Sequence, residues 1–97
     1  MITTKQRALL KGLAMNMSPS MQIGKDGIKD ESLKQIEEML DAKELAKIKV
    51  LNSCENSARE VADIVQQKIG CDVVQVIGNT LVLYRYSNKK GVKHIAI

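Results

Sequence analysis

The sequence has no phenylalanine and no tryptophan, and Tyr84 and Tyr86 are its only tyrosines. Proteins that bind single-stranded nucleic acid by stacking successive bases need several exposed aromatic side chains in a row. Two tyrosines cannot supply such a row, which argues against that mode of recognition. The apolar fraction of 44% comes almost entirely from aliphatic residues and five methionines, a composition suited to packing helices against a sheet.

Cysteine and histidine are also scarce. Cys54 and Cys71 are the only cysteines, they form no CxxC pair, and His94 is the only histidine. This pattern excludes a zinc site of the usual ligand spacing. A domain with an aliphatic core does not need a disulfide between the two cysteines, and two free thiols fit a reducing cytoplasm.

Long apolar runs are missing from the sequence. No apolar stretch approaches the roughly 20 residues that a membrane-spanning helix needs, and the N-terminus lacks the apolar core of a signal peptide. We therefore predict a cytoplasmic protein with no membrane partner.

The sequence also has no recognisable catalytic machinery. It contains no Walker GxxxxGK[ST] loop and no activated nucleophile, and His94 has no evident acidic or nucleophilic partner. Glu37, Glu38, Asp41 and Glu44 are close in sequence, but without a histidine or a metal-binding loop they indicate a solvated helix face. We predict that the protein is not an enzyme and has no catalytic residue, metal, cofactor or small-molecule substrate.

Charge is divided into three blocks along the chain of 97 residues. Residues 1–29 carry five basic and one acidic side chain, a net charge of +4, and residues 30–72 carry six basic and ten acidic ones, a net charge of −4. Residues 73–97 carry four basic side chains and no acid, again +4. If the fold brings the two basic ends together, they form a positive face that can release counterions from a polyanion, with the acidic middle facing elsewhere.

Local patterns predict the first three elements of the fold. Thr3 and Gln6 have the spacing of a capping box, and leucines at helical spacing then predict a helix over residues 4–15. A short strand follows at residues 21–23. Beyond the glycine loop that comes next, the helical period resumes, and Asp30 is well placed as the N-terminal cap of a second helix.

The middle of the chain predicts a strand and a third helix. Residues 44–51 alternate in a way that indicates a strand with one covered face, with Lys47 and Lys49 pointing to solvent. Asn52 and Glu55 again have capping-box spacing, and the amphipathic helix that follows them is the clearest in the sequence.

The last part of the chain predicts a β-hairpin. The segments 71–77 and 80–86 are rich in β-branched residues and flank the dipeptide Gly78-Asn79, in which both residues tolerate positive φ. Helices that alternate with strands require crossover connections, while the hairpin is antiparallel. We therefore predict a compact α-β-α-β-α-β-β sandwich with a mixed sheet, in the α/β class.

Residues 1–97 are expected to form one domain, with a core over about residues 4–86. The tail, residues 87–97, is predicted to be loosely held, although Ile95 and Ile97 could add an edge strand. Its basic residues are compatible with a flexible arm that orders on RNA or with a solubilising tail. These residues are Lys89, Lys90 and Lys93.

The segment Gly24-Lys25-Asp26-Gly27 lies between a predicted strand and the start of a predicted helix. Glycines there let the backbone approach a bulky anion, and the exposed N–H groups at a helix start carry partial positive charge. Lys25 and Lys29 add two ammonium groups. Taken alone, a GxxG loop is more often a simple turn, and the carboxylate of Asp26 would repel a phosphate.

Four segments in order along the chain match the pattern of a known family. They are Leu10-Lys11-Gly12-Leu13-Ala14, Ile23-Gly24-Lys25-Asp26-Gly27-Ile28, Glu44-Leu45-Ala46-Lys47-Ile48-Lys49-Val50, and Val76-Ile77-Gly78-Asn79-Thr80-Leu81-Val82-Leu83-Tyr84-Arg85. In these segments the chain resembles the CRM domain, the RNA-binding module of chloroplast splicing and ribosome-maturation factors, in its stand-alone bacterial form. The resemblance spans about residues 4–86.

This resemblance implies a fold similar to the C-terminal domain of bacterial translation initiation factor three and a glycine loop comparable to that of KH domains. In KH domains the loop joins two helices, so their clamp on single-stranded RNA does not transfer directly. Ala46 stands where the family often has a bulkier apolar residue. The RNA contacts carried over from the family are Gly24, Lys25, Gly27, Lys11 and Arg85.

The main hypothesis is an RNA-binding assembly factor that associates with ribosomal RNA in precursors of the large subunit. Affinity would come from phosphate contacts by the residues carried over and by other basic residues of the two chain ends. These further residues are Lys5, Arg7, Lys29, Lys89 and Lys90. The alternative is a protein-interaction module that docks on a ribosomal protein or another assembly factor through the acidic middle. Tyr84 could stack on a base or pack within its strand.

Overall fold

The computed structural model describes residues 2–97. Its helices are α1 (Thr4–Met15), α2 (Asp30–Lys43) and α3 (Ala58–Ile69), and its strands are β1 (Met21–Ile23), β2 (Leu45–Val50), β3 (Asp72–Ile77) and β4 (Thr80–Tyr84). The predicted order of helices and strands is confirmed.

The four strands form one mixed sheet in the order β1-β2-β4-β3. β1 and β2 run parallel, whereas β4 is antiparallel to both of its neighbours, β2 and β3. The predicted turn at Gly78-Asn79 joins β3 to β4, and Gly78 adopts φ 55°, a conformation that glycine tolerates. The sandwich class and the mixed sheet are therefore confirmed.

The sheet carries helices on both faces. On one face α2 and α3 cover a large aliphatic core that includes Ile36, Ile48 and Val61. On the other face α1 covers a smaller cluster that includes Leu10 and Leu45. The prediction of a single covered face for the second strand was therefore wrong, because α1 folds back over the side of the sheet that the alternation assigned to solvent.

Two helix starts differ from the prediction. Lys29 is the N-cap of α2, and Asp30 is the first helical residue, where its charge still favours the positive end of the helix dipole. The capping box of α3 is formed by Ser57 and Glu60, and the predicted helix start near Asn52 was wrong. Residues 51–57 instead form a turning loop after β2. In contrast, the capping box of Thr3 and Gln6 at α1 is confirmed.

The tail is held in place by a buried carboxylate. Glu44 is 0% exposed and accepts hydrogen bonds from the backbone N–H groups of Ser87 and Ile95, at 2.8 and 2.7 Å. His94 Nδ1 lies 2.7 Å from the same carboxylate. The prediction of a loosely held tail was wrong, and so was the prediction that His94 lacks an acidic partner. Ile95 and Ile97 pack against the smaller cluster without forming a strand.

The sheet has two ends with different contents. We call the first the loop end, which comprises residues 24–29, 51–57 and 78–79. We call the other the tail end, which comprises Glu44, residues 70–72 and residues 85–97. None of the three helices is long and apolar enough to cross a lipid bilayer, residues 2–97 being the part of the chain that was searched.

Candidate nucleic-acid interface

The glycine loop follows β1 at the loop end and turns tightly into α2. Gly27 adopts φ 66°, which strains any residue with a side chain, and its N–H donates to Gly24 O at 3.0 Å. Gly24 is different. A Cβ added there would lie 3.7 Å from Leu51 Cδ1 and Ser53 Oγ, an ordinary contact, so local packing does not require glycine at this position.

Exposed charges surround this turn. Lys25 and Lys29 are exposed, and so is Asp26. Lys29, Asp26 and Glu31 line a cleft of about 290 Å³ together with both glycines. The ion pairs among residues 2–97 involve neither lysine. Both ammonium groups are therefore available to an anion, and the carboxylate of Asp26 lowers the positive potential between them.

Two more loops lie beside the glycine loop because of the strand pairing. Ile23 pairs with Val50, so the segments that leave β1 and β2 emerge side by side. The hairpin turn joins them, since Asn79 O accepts from Val50 N–H at 2.7 Å and the Asn79 side chain donates to Asn52 Oδ1 at 3.3 Å. The loop end is thus a continuous polar surface.

A groove next to the loop end contains Lys11 and Lys47. It lies between α1 and the sheet, has a volume of about 390 Å³, and is lined also by Ile77 and Thr80 near the hairpin turn. Lys47 does not point freely to solvent as predicted. Its Nζ donates to the carbonyl oxygens of Ala14 and Met17, both at 2.9 Å, and so satisfies the C-terminal end of α1.

Lys49 is a residue that the sequence reasoning did not propose as a contact. It is exposed, it pairs with Thr80, and strand alternation places it on the same face of the sheet as Lys47. Because Thr80 lines the groove that contains Lys11, Lys49 lies beside that groove, close to the hairpin turn of the loop end. The sequence already predicted that this side chain faces solvent. That prediction could have identified Lys49 as a contact, because an exposed lysine beside a basic loop is available to a polyanion.

The structure gives two other predicted contacts a role within the fold. The Arg7 guanidinium donates to the carbonyl oxygens of Val73 and Val74, where β3 has an irregular register. Arg85 pairs with Asp41 at 3.0 Å and with Glu37 at 3.4 Å. Both arginines are already satisfied by the protein, which makes them weaker candidates for phosphate contacts.

The remaining predicted contacts lie at the other end of the sheet or on α1. Lys89 and Lys90 are exposed in the tail, and Lys5 is exposed in the first turn of α1. The ten predicted residues therefore do not form one face. Gly24, Lys25, Gly27 and Lys29 lie at the loop end with Lys11 nearby, whereas Arg85, Lys89 and Lys90 lie at the tail end.

The predicted separation of acidic and basic regions is only partly present. Glu37 and Asp41 neutralise Arg85, and Glu44 is buried rather than part of a solvated face. Burial by itself raises the pKa of Glu44, but hydrogen bonds from Ser87, His94 and Ile95 outweigh it and hold that pKa below its ordinary value of 4.5. Some carboxylates of the acidic middle are therefore occupied by contacts within the protein.

Other reactive side chains form no site in the described part of the chain. No group of three or more His, Cys, Asp or Glu residues within residues 2–97 is arranged to hold a metal ion. Both cysteines are free, and burial raises the pKa of the Cys71 thiol to about 11, so this thiol is a poor nucleophile at neutral pH. Tyr84 is buried in the smaller cluster and cannot stack on a base.

Comparison with known proteins connects this geometry to a family. The sequence matches the CRS1/YhbY (CRM) domain over residues 2–85, nearly the whole chain. The chain belongs to the CRM domain family. This is a family of RNA-binding domains and not an enzyme family.

Two relatives of this CRM domain illustrate the similarity in sequence. It is 42% identical to a Bacillus subtilis protein named probable RNA-binding protein YqeI, over 92% of this chain and 93% of that protein. It is 33% identical to a protein of Haemophilus influenzae named RNA-binding protein, over 95% of this chain and 93% of that protein.

A solved structure shares the fold. The solution structure of a hypothetical Staphylococcus aureus protein, proposed to bind RNA, superposes with a TM-score of 0.76 at 39% identity. The match covers 93% of this chain and 94% of that one. The CRM fold is therefore confirmed by similarity in both sequence and structure.

Proposed function

We propose that this CRM domain binds structured RNA through the loop end, most simply ribosomal RNA in a precursor of the large ribosomal subunit, and acts in the cytoplasm as an assembly factor without a catalytic step. The observation that carries the proposal is the set of exposed, unpaired lysines around a tight glycine turn. Lys25 and Lys29 flank the turn, and Lys49 and Lys11 continue the positive surface along the sheet and α1.

The glycine at position 24 supports a close approach by the ligand. Its surroundings would accept a Cβ at ordinary contact distances, so the fold gives no strong reason for glycine there. An RNA backbone lying against the peptide gives such a reason, because an added side chain would hold the phosphates away from the N–H groups. Gly27 differs, since its positive φ alone accounts for the residue.

The binding is expected to depend mainly on phosphates and shape. Lysines at the loop end supply charge without the fixed fork of an arginine, and an A-form RNA helix offers side chains few readable base edges. Neutralising phosphates with lysines releases counterions, so affinity should fall steeply with salt. The names of the relatives, which describe RNA binding, support the same class of ligand.

The experiment that tests the proposal is RNA affinity as a function of salt for matched lysine variants. Lys25→Ala and Lys29→Ala together should lower the slope of log affinity against log salt by about 1 to 2. Arg85→Ala should change the slope less, because its guanidinium is already paired with two carboxylates. Lys34→Ala serves as the control, since Lys34 is exposed on α2, outside the loop end. An unchanged affinity and slope in the double variant would contradict the proposal.

The ribosomal part of the proposal has its own test. Crosslinking in cells, followed by sequencing of the RNA bound to the protein, should recover large-subunit ribosomal RNA and its precursors. Recovery of messenger or small RNA in its place would keep RNA binding and reject the assembly role.

A further inference from the structure

Tyr86 is the exposed member of the two tyrosines. It is 56% exposed, whereas Tyr84, two residues earlier, is 6% exposed. A tyrosine ring that is exposed and held in a fixed orientation offers an apolar face on which another ring can stack. The RNA-binding surface at the loop end does not use it, because β4 runs away from that end and Tyr86 follows its last residue.

The ring of Tyr86 is fixed from one side. It stacks on the imidazole of His94 with ring centroids 4.3 Å apart and an angle of 11° between the planes, and its hydroxyl lies 3.1 Å from His94 Nε2. His94 is itself held by the buried carboxylate of Glu44. Because this chain of contacts ends in the core, the ring loses little conformational freedom when something binds to its other face.

The surroundings of the ring suit a nucleotide. Tyr86 borders a cleft of about 600 Å³ that is also lined by Gln66 and Asn88. Side-chain amides both donate and accept hydrogen bonds, as the edges of nucleobases do. Lys89, which is exposed, lines a second cleft that Tyr86 also borders.

The charges at this end favour a phosphate on the tail side of the ring. Lys89, Lys90 and Lys93 are exposed and take part in none of the ion pairs among residues 2–97. The nearby carboxylates are less available, since Asp41 is paired with Arg85 and Glu44 is buried. Asp72 lines the larger cleft, and its carboxylate disfavours a phosphate there. The edge of an uncharged base suits that cleft better.

We propose that the open face of Tyr86 is a stacking platform for one unpaired base of the bound RNA, with its phosphate held by the tail lysines. This inference rests on the proposed RNA-binding function and adds to it a second contact at the tail end. The ligand class is a single-stranded nucleotide next to a structured region. A single platform reads one unstacked base and does not need the row of aromatics that the sequence lacks.

Binding of two RNAs tests the platform. One is a hairpin with a single-stranded overhang, and the other is the same hairpin without the overhang. Tyr86→Ala should weaken binding of the overhang RNA between about 5-fold and about 150-fold and leave binding of the blunt hairpin unchanged. Tyr86→Phe should keep the affinity within about 2-fold, because stacking needs the ring rather than the hydroxyl. Tyr86→Leu, which keeps bulk without an aromatic face, should behave like Tyr86→Ala.

A second measurement needs no substitution at Tyr86. In a Tyr84→Phe variant Tyr86 is the only tyrosine, and the sequence has no tryptophan, so the intrinsic fluorescence reports on this ring alone. The overhang RNA should change that fluorescence on binding. An RNA whose overhang has sugars without bases should bind the wild-type protein as weakly as the normal overhang RNA binds Tyr86→Ala. It should not change the fluorescence of the Tyr84→Phe variant.

The outcomes separate the two proposals. The platform is rejected if the overhang RNA binds Tyr86→Ala as tightly as wild type and does not change the fluorescence of the Tyr84→Phe variant. The proposed function still stands in that case if the lysine variants at the loop end lose affinity. If the wild-type protein binds neither RNA at low salt, both proposals fail. If Tyr86→Ala loses affinity for the overhang but keeps the salt slope of the wild type, the platform is supported as an uncharged contact.

Discussion

The two ends of the sheet differ in how much of their charge is used by contacts within the protein. At the loop end Lys25 and Lys29 are exposed and make no ion pair within the described chain. At the tail end Arg85 pairs with Glu37 and Asp41 and donates to the Ile69 carbonyl oxygen, and Glu44 accepts from two backbone N–H groups and contacts His94. The difference shows that the number of basic residues in a segment does not measure its capacity to bind a polyanion, because the fold itself uses some of them.

The same contrast exists within a single strand. Lys47 and Lys49 are two residues apart on β2 and share one face of the sheet. Lys47 satisfies carbonyl groups at the end of α1, whereas Lys49 is exposed. One lysine therefore contributes to the fold and the other is left for a ligand.

The largest effect is expected from removing the side chain that anchors the tail. Glu44 adopts φ 66°, a conformation that costs a non-glycine residue about 1 kcal/mol, so glycine would be the better backbone choice there. Glu44→Gly should nonetheless lower the free energy of unfolding by about 2 kcal/mol, because the buried N–H of Ser87 and the partly buried N–H of Ile95 lose their acceptor. Denaturant unfolding measures the change.

The control for this variant is Glu38→Ala, which removes an exposed carboxylate on α2, the helix that Glu44 follows as C-cap, and which should change stability by less than about 0.5 kcal/mol. Limited proteolysis should cut the tail of Glu44→Gly faster than that of the wild type. A Glu44→Gly protein that is more stable than wild type would mean that the backbone strain at Glu44 outweighs the tail contacts. The Glu44 carboxylate would then contribute no net stability at the tail end.

Acid should weaken the tail end selectively. Because folding lowers the pKa of Glu44 from its ordinary value of 4.5, its contribution to stability is fully present above that value and is lost as pH falls through the lowered pKa. Unfolding free energies measured between about pH 6 and pH 2 should fall more steeply for wild type than for Glu44→Gln. Equal slopes in the two proteins would show that the carboxylate charge does not anchor the tail.

Replacing Lys47 and Lys49 of β2 separately with methionine compares their roles directly. Lys47→Met should lower the unfolding free energy by about 1 kcal/mol, because the carbonyl oxygens of Ala14 and Met17 lose their bonds to the Lys47 ammonium group, and should change RNA affinity little. Lys49→Met should leave stability within about 0.5 kcal/mol and lower the salt slope of RNA binding by up to about 1. If both variants had the same effects, the division of roles between the two lysines would be wrong.

The smallest effect is expected at Asp26. Its carboxylate lies in the cleft beside the glycine turn and repels phosphate. Asp26→Asn should tighten RNA binding by about 2-fold at low salt, an effect that screening removes at high salt. Weaker binding by this variant would indicate that Asp26 holds the loop in its binding conformation.

Elements whose signals are local were predicted well. The capping box of Thr3 and Gln6 fixes the start of α1, and the hairpin dipeptide marks the turn between β3 and β4. The errors occurred where two local signals compete. Asn52 and Glu55 have the same spacing as Ser57 and Glu60, and only the position of β2 in the sheet decides that the chain turns through residues 51–57 before α3 begins.

The candidate site was predicted in part for the same reason. The glycine loop is a contiguous segment, so its residues could be identified together. Lys49 was correctly predicted to face solvent, but only the strand pairing shows that it lies beside the hairpin turn at the loop end. Tyr86 gave no signal of its own, since its partner His94 lies eight residues away in a tail that the sequence alone indicated to be loose.

By itself the sequence determined the order of the elements, the mixed sheet, the family and the place of the glycine loop. The order of the elements, the mixed sheet and the place of the glycine loop follow from capping boxes, alternation and turn residues, which act over a few positions, and the family follows from the resemblance of four short segments. The tertiary structure alone decided which charges stay available. Arg7, Lys47, Arg85 and Glu44 find their partners across 66, 33, 44 and 50 positions, and contacts at such separations form only when the whole sheet assembles.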